Sequence, residues 1–283
     1  LKAIFKVLVY SNLWVGLAVS ALAAISSFGL FRFNFFLLVF IGCATALAYS
    51  YMRLVQLPGY QKEEISGFKA WYARNPALLA FITALWGVLS YFSLLQILSV
   101  QLMRLLSFPA AVSLIYPLSF KNPMAGFTSL RSYPGLKLFL IAMVWSYVTA
   151  ALPALLVDEF STEMVLEFIF RTFLIMSLTI PFDIRDITSD QQEMDTIPQR
   201  FGIINARQIS TFLLMLYQIW VAMRILIFDF DPVLGLTLIL GLEIGFWIIR
   251  RANTERGELY YSFWLEGVPI FTFVLMWLAW RIF

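Results

Sequence analysis

The sequence has no histidine, one cysteine and few charges: Lys, Arg, Asp and Glu together make up 13% of its 283 residues. With no histidine and no cysteine cluster, a zinc or haem site built from those ligands is excluded. Cys43 has no second cysteine to pair with. It falls inside an apolar run, where packing is its expected role, and it says nothing of redox compartment. Low-complexity tracts, long linkers and stretches of soluble-domain composition are also missing. The first hydrophobic run is about 24 residues long and no small-residue cleavage site follows it, so it is expected to span a membrane rather than be removed.

What the chain has instead is apolar surface. Hydrophobic residues make up 61% and the mean hydropathy is +0.83, the composition of a polytopic membrane protein. Nine runs are expected to form helices, at 7–30, 34–56, 77–97, 103–119, 135–157, 163–182, 207–228, 231–250 and 262–282. The expected fold is therefore all-α: one membrane domain, residues 1–283, built as a bundle of nine transmembrane helices. The fourth run is the weakest, because Arg104 sits at its start and Pro109 interrupts it.

Lys and Arg concentrate on the cytoplasmic side of membrane helices. With the N-terminus inside, fifteen of the twenty Lys and Arg fall in cytoplasmic segments. Three (Arg32, Arg104 and Arg281) fall outside, and Arg171 and Arg224 lie within helices. Asp158–Glu159 and Asp229–Asp231 mark outer connections. The three middle inner connections, 53–76, 119–137 and 183–206, are the longest and most polar.

The third of these contains the most polar run of the chain, from Pro181 to Gly202. Asp183, Asp186 and Asp190 are spaced i, i+3, i+7, which on a helix aligns three carboxylates on one face. Like charges so placed need a cation between them, and Mg²⁺ takes oxygen ligands while sharing its other positions with water and phosphate. The run follows a hydrophobic segment directly, so the carboxylates lie where a helix meets water. Basic residues in all three inner connections supply cations for a phosphate.

Asp183-Ile-Arg-Asp186-Ile-Thr-Ser-Asp190, followed by Asp195-Thr-Ile-Pro198-Gln-Arg200-Phe-Gly202, resembles the second acidic motif of the UbiA superfamily of intramembrane prenyltransferases and its Thr-x-Pro-x-x-x-Gly-like continuation. Tyr116-Pro117 with Lys121 is similar to that family's Tyr-Pro…Lys stretch. The family's first acidic motif would fall at the end of helix two, where this chain reads Ala48-Tyr-Ser-Tyr-Met-Arg53-Leu-Val-Gln-Leu-Pro58, with no carboxylate. The resemblance implies a Mg²⁺-dependent enzyme that ionises an isoprenyl diphosphate and transfers the prenyl group to an acceptor inside an apolar chamber. It implies Asp183, Asp186 and Asp190 as catalytic metal ligands; Lys121, Arg131 and Arg200 are expected on the diphosphate, as is Arg53, whose guanidinium stands where the family has carboxylates and can bind phosphate directly. Implied partners are an isoprenyl diphosphate and membrane lipid, with no nucleic acid. The implied location is a bacterial inner membrane, with the N-terminus and active face cytoplasmic. A terpene cyclase on the same scaffold and a non-catalytic prenyl-lipid-binding homologue stay open as alternatives.

Ionisable residues inside the membrane face the bundle interior. Glu163, Glu167 and Arg171 share a helix face, and a Glu167–Arg171 ion pair is expected. Arg224 and Glu243 are expected to pair likewise, and Asn12 to hydrogen-bond between helices or to face a cavity.

Overall fold

A computed structural model describes residues 2–28, 33–60, 67–122, 126–129, 135–157, 160–187 and 195–283. They form twelve α-helices, with one short hairpin between the sixth and seventh. The chain packs as two compact units, Leu1–Ser20 with Asn34–Arg131, and Ala21–Phe33 with Ser132–Phe283.

In the first unit, α1 (Lys2–Tyr10) and α2 (Leu13–Ser26, of which the first eight residues belong here) meet at a bend of 71°. The bend falls at Asn12, which has φ 59°, a left-handed conformation that Asn tolerates better than most residues. A broken helix frees backbone carbonyls, which inside a bilayer need donors from the protein. Side chains supply them: Tyr72 Oη donates to Tyr10 O at 3.0 Å and Trp86 Nε1 to Ser11 O at 2.7 Å. Asn12 Nδ2 itself donates to Ser50 Oγ at 2.8 Å, the interhelical bond expected of it. These partners come from α3 (Phe35–Tyr60), α4 (Gly67–Arg74) and α5 (Pro76–Leu95). α6 (Val100–Ile115) leads into β1 (Ser119–Asn122) and β2 (Gly126–Ser129), an antiparallel pair whose backbone register sets Phe120 opposite Thr128 and Lys121 opposite Phe127. Aromatic and β-branched residues favour such pairing, and the hairpin occupies part of what the sequence marks only as a polar connection.

α2 and α3 approach through glycines. A Cβ on Gly16 would lie 2.7 Å from Gly42 O; one on Gly42 would overlap Ser20 Oγ and sit 3.1 Å from Gly16 O. Small residues let membrane helices come this close, and dispersion then holds them. Gly42→Val is therefore expected to cost about 1–3 kcal/mol by overpacking. Thermal unfolding in detergent measures it, and a loss under about 0.5 kcal/mol would mean that the helices part freely.

In the second unit, α7 (Leu136–Ser146) runs through a π-helical turn at Tyr147–Ala151 into α8 (Leu152–Leu155), one continuous apolar segment. α9 (Thr162–Asp186) packs on α7 and on α10 (Ile197–Ile227); α11 (Pro232–Arg250) packs on α10 and on α12 (Val268–Ile282). Leu174, Leu178, Leu214, Trp220, Leu242 and Met276 lie in the shared core. The opposite faces carry exposed Leu226, Leu236, Leu240 and Ile282, as surfaces turned to lipid do.

Among the described residues seven helical segments are long and apolar enough to cross a membrane, and the bent α1–α2 pair makes an eighth if it is counted as one span. The ninth expected crossing, α6, has only 16 residues. At 1.5 Å per residue it reaches about 24 Å, short of a hydrocarbon core of about 30 Å. The expected count of nine is thus approximate, with Pro109 and Arg104 in the element that falls short.

Candidate active site

The acidic run begins inside a helix. α9 continues four residues past the expected end at 182 and carries Asp183 and Asp186 in its last turn, with Ile187 as C-cap. Pro181 in the helix interior has no N–H to offer Ser177 O. Ser210 Oγ on α10 donates to that carbonyl instead, at 2.6 Å, so the helix passes its proline intact. The continuation motif has a structural meaning too. Thr196 is the N-cap of α10 and its N–H donates to Gln199 Oε1 at 2.9 Å. Pro198 sits in the first turn, where a missing N–H costs nothing, and Gly202 (φ 79°, ψ 163°) kinks the helix. Only glycine takes that backbone conformation without strain.

Asp183 is buried, 3% exposed, and accepts a hydrogen bond from Lys137 Nζ at 2.7 Å. Lys137 stands in the first turn of α7, which opens on Gly135 at φ 69°. Asp186 is half-buried and takes the fork of Arg185: Nε to Oδ1 at 2.7 Å and Nη2 to Oδ2 at 2.8 Å. Arg185 also donates Nη1 to Ser262 Oγ at 3.3 Å and lies 5.2 Å from the Phe182 ring and 5.8 Å from the Tyr261 ring. Two carboxylates and two cations therefore stand at the end of α9.

Asp190 and Arg131, both expected at the site, lie outside the described residues. Lys121 lies in β1. Arg200, in the first turn of α10, is exposed and 3.9 Å from Asp195. Arg53, on α3, places its guanidinium 4.4 Å from the Phe68 ring and 6.0 Å from the Tyr72 ring, a cation–π seat within the first unit. Among the described residues no three carboxylates converge on a metal position. Asp183 and Asp186 are nonetheless hard oxygen donors of the type Mg²⁺ takes, and Mg²⁺ often uses only one or two carboxylates beside water and phosphate. The donor set fits that ion.

The expected Glu167–Arg171 pair is present, and it is the centre of a larger buried network. Arg171 gives Nε to Glu167 Oε1 at 2.8 Å, Nη1 to Leu22 O at 2.8 Å and Nη2 to Ser26 Oγ at 2.9 Å. Glu167 also accepts from Tyr217 Oη at 2.9 Å and Trp220 Nε1 at 2.7 Å. Arg224, expected opposite Glu243, instead gives Nε to Glu163 Oε1 at 2.8 Å, while Glu243 accepts from Gln218 Nε2 at 2.9 Å. The reason is axial level: Gln218 lies six residues before Arg224, about 9 Å along α10, and Glu243 stands beside the former.

Sequence reasoning missed Lys137 as a partner of Asp183. Its one signal was a lysine at the start of an inner helix end, on the same side as the acidic run, which also fits a plain positive-inside residue.

No protein-family profile matches the sequence, and no curated protein matches it either. The fold is similar to that of a UbiA homolog from Archaeoglobus fulgidus bound to GPP and Mg²⁺, at 12% identity and a TM-score of 0.65 over 98% of this chain and 100% of that one. A structure of a UbiA homolog from Archaeoglobus fulgidus bound to DMAPP and Mg²⁺ gives 11% identity and a TM-score of 0.60 over 97% and 99%. A structure concerned with digeranylgeranylglyceryl phosphate synthase in membranes gives 13% identity and 0.57 over 98% and 99%. At such identities the likeness is one of fold, and it runs the length of the chain. By fold this is a UbiA-like multi-pass membrane protein, as the acidic run and its continuation suggest.

Proposed function

We propose that the protein is an intramembrane prenyltransferase that takes an isoprenyl diphosphate and passes its prenyl group to an acceptor within the bilayer. The observation that carries this reading is the pair Asp183 and Asp186 in the last turn of α9, on a UbiA-like fold. Asp183 and Asp186, with Asp190 beyond them, are the residues that would hold Mg²⁺. That ion, when bound, would stabilise the charge of the departing pyrophosphate. Arg53, Lys121, Arg131 and Arg200 bind the diphosphate in this reading, and an apolar surround keeps water from the allylic cation. The active face is cytoplasmic, by the distribution of Lys and Arg.

Arg53 takes a particular role. It is the charged residue at the helix-two position where the UbiA pattern has carboxylates, and a guanidinium binds phosphate oxygens directly in a bidentate manner. Arg53→Lys keeps the charge and loses the planar fork, so diphosphate binding weakens; Arg53→Ala weakens it further, by about tenfold to a hundredfold. Isothermal titration with an allylic diphosphate measures this. Affinity unchanged within about twofold in Arg53→Ala would reduce Arg53 to an anchor seated on Phe68.

The reading as a whole is tested by binding an allylic thiolodiphosphate to the purified protein with and without Mg²⁺. Tight binding only with Mg²⁺ is the expected result. Equal binding in both conditions would make the acidic run a polar helix end and nothing more.

A further inference from the structure

Three of the ion pairs in the second unit differ in burial and in the chemistry of their cations. Arg171 and Glu167 are both wholly buried, and every arm of the guanidinium is engaged by Glu167, Leu22 O or Ser26. Arg185 and Asp186 share a two-bond fork, with Arg185 further tied to Ser262 and the Tyr261 face. Lys137 and Asp183 are different. The carboxylate is buried, with 4% of its side chain exposed, whereas the lysine reaches it from a more open position, with 17% of its side chain exposed. The link is an ammonium on a flexible four-carbon stem, which pivots more freely than a planar guanidinium.

That ammonium sits 2.7 Å from Asp183 Oδ1, on a carboxylate that would also serve a metal ion. A second cation brought to Asp183 is repelled by the first, and burial strengthens the repulsion because little water screens it. A phosphate arriving at the helix end offers the ammonium another anion. We propose that Lys137 is a built-in counter-ion of Asp183 that competes with the divalent metal until a phosphate group draws it away, so that metal and diphosphate each favour the binding of the other. Lys137 is then a positioning residue whose transfer from carboxylate to phosphate couples the two binding events. This rests on the reading of the α9 end as a metal–diphosphate site.

The test uses the full chain in detergent, Mn²⁺ as the metal probe followed by electron paramagnetic resonance, and methylenediphosphonate as a non-reacting diphosphate. Lys137→Met keeps the stem and removes the charge; Lys137→Gln keeps a hydrogen bond to Asp183 and guards against a misfolded methionine variant. Both variants should bind Mn²⁺ without diphosphate about tenfold or more tighter than the unmodified protein. Both should also gain less affinity than the unmodified protein when methylenediphosphonate is added. Unchanged Mn²⁺ affinity in both variants, with Asp183→Asn still lowering it, overturns the counter-ion role and leaves the metal site standing. Absence of Mn²⁺ binding in the unmodified protein, with and without methylenediphosphonate, removes the metal–diphosphate reading and this proposal with it.

Discussion

Asp186→Asn is expected to weaken Mg²⁺-dependent binding of an allylic diphosphate by about tenfold to a hundredfold, the range for losing a charged hydrogen-bonding partner. The substitution is nearly isosteric and stays in the last turn of α9, so the helix itself should be undisturbed. What it removes is the negative charge that a divalent cation needs. It also removes the anion from the Arg185 fork, now bonded at 2.7 and 2.8 Å. A guanidinium released in this way is available to phosphate, so binding in the absence of Mg²⁺ should stay level or rise slightly. The two conditions thus move differently, which a general loss of folding would not produce. Titration with and without Mg²⁺ reads both. An equal fall in both conditions would mean that Asp186 acts by holding Arg185 rather than by holding metal.

Glu167→Ala is expected to destabilise the protein by about 3–5 kcal/mol, the cost of leaving a buried charge without its partner. Glu167 accepts hydrogen bonds from Arg171 and Tyr217 at Oε1 and from Trp220 at Oε2, and Arg224 Nη1 lies 3.6 Å from Oε2. Arg171 and Arg224 are both buried, so alanine would strand positive charge among apolar side chains. Glu167→Gln keeps the shape and part of the bonding, and should lose less. Thermal unfolding in detergent reports both, with Asp186→Asn as a variant that should unfold close to the unmodified protein. A loss below about 1 kcal/mol for Glu167→Ala would show that water reaches the network when the carboxylate is gone.

How far the sequence discloses this molecule depends on the kind of signal. Long apolar runs mark the helices well, because a bilayer demands length and hydrophobicity of every crossing; the observed Pro232–Arg250 lies within one residue of the expected 231–250. The bend at Asn12 is hidden, since Ser11 and Asn12 interrupt hydrophobicity too briefly to register, and the donors that make the bend tolerable, Tyr72 and Trp86, come from distant parts of the chain. Glu167–Arg171 is legible because one helix fixes both positions at i, i+4. Arg224–Glu163 and Lys137–Asp183 are not, because each depends on the axial level at which two helices meet. The Thr196, Pro198 and Gly202 continuation reads as a family mark in the sequence. In the structure it is a helix cap, a first-turn proline and a kink.

In the proposed function the end of α9 supports ionisation of an isoprenyl diphosphate. The most direct measurement incubates purified protein with radiolabelled allylic diphosphates, Mg²⁺ and a membrane extract as the source of acceptor, and follows released pyrophosphate together with labelled lipid. The expected result is Mg²⁺-dependent release that produces a prenylated lipid and is lost in Asp186→Asn. Release with a cyclised hydrocarbon and no prenylated acceptor would indicate a cyclase on the same scaffold. Tight diphosphate binding with no pyrophosphate released from any chain length would rule out the transferase and make the protein a non-catalytic binder of prenyl lipids.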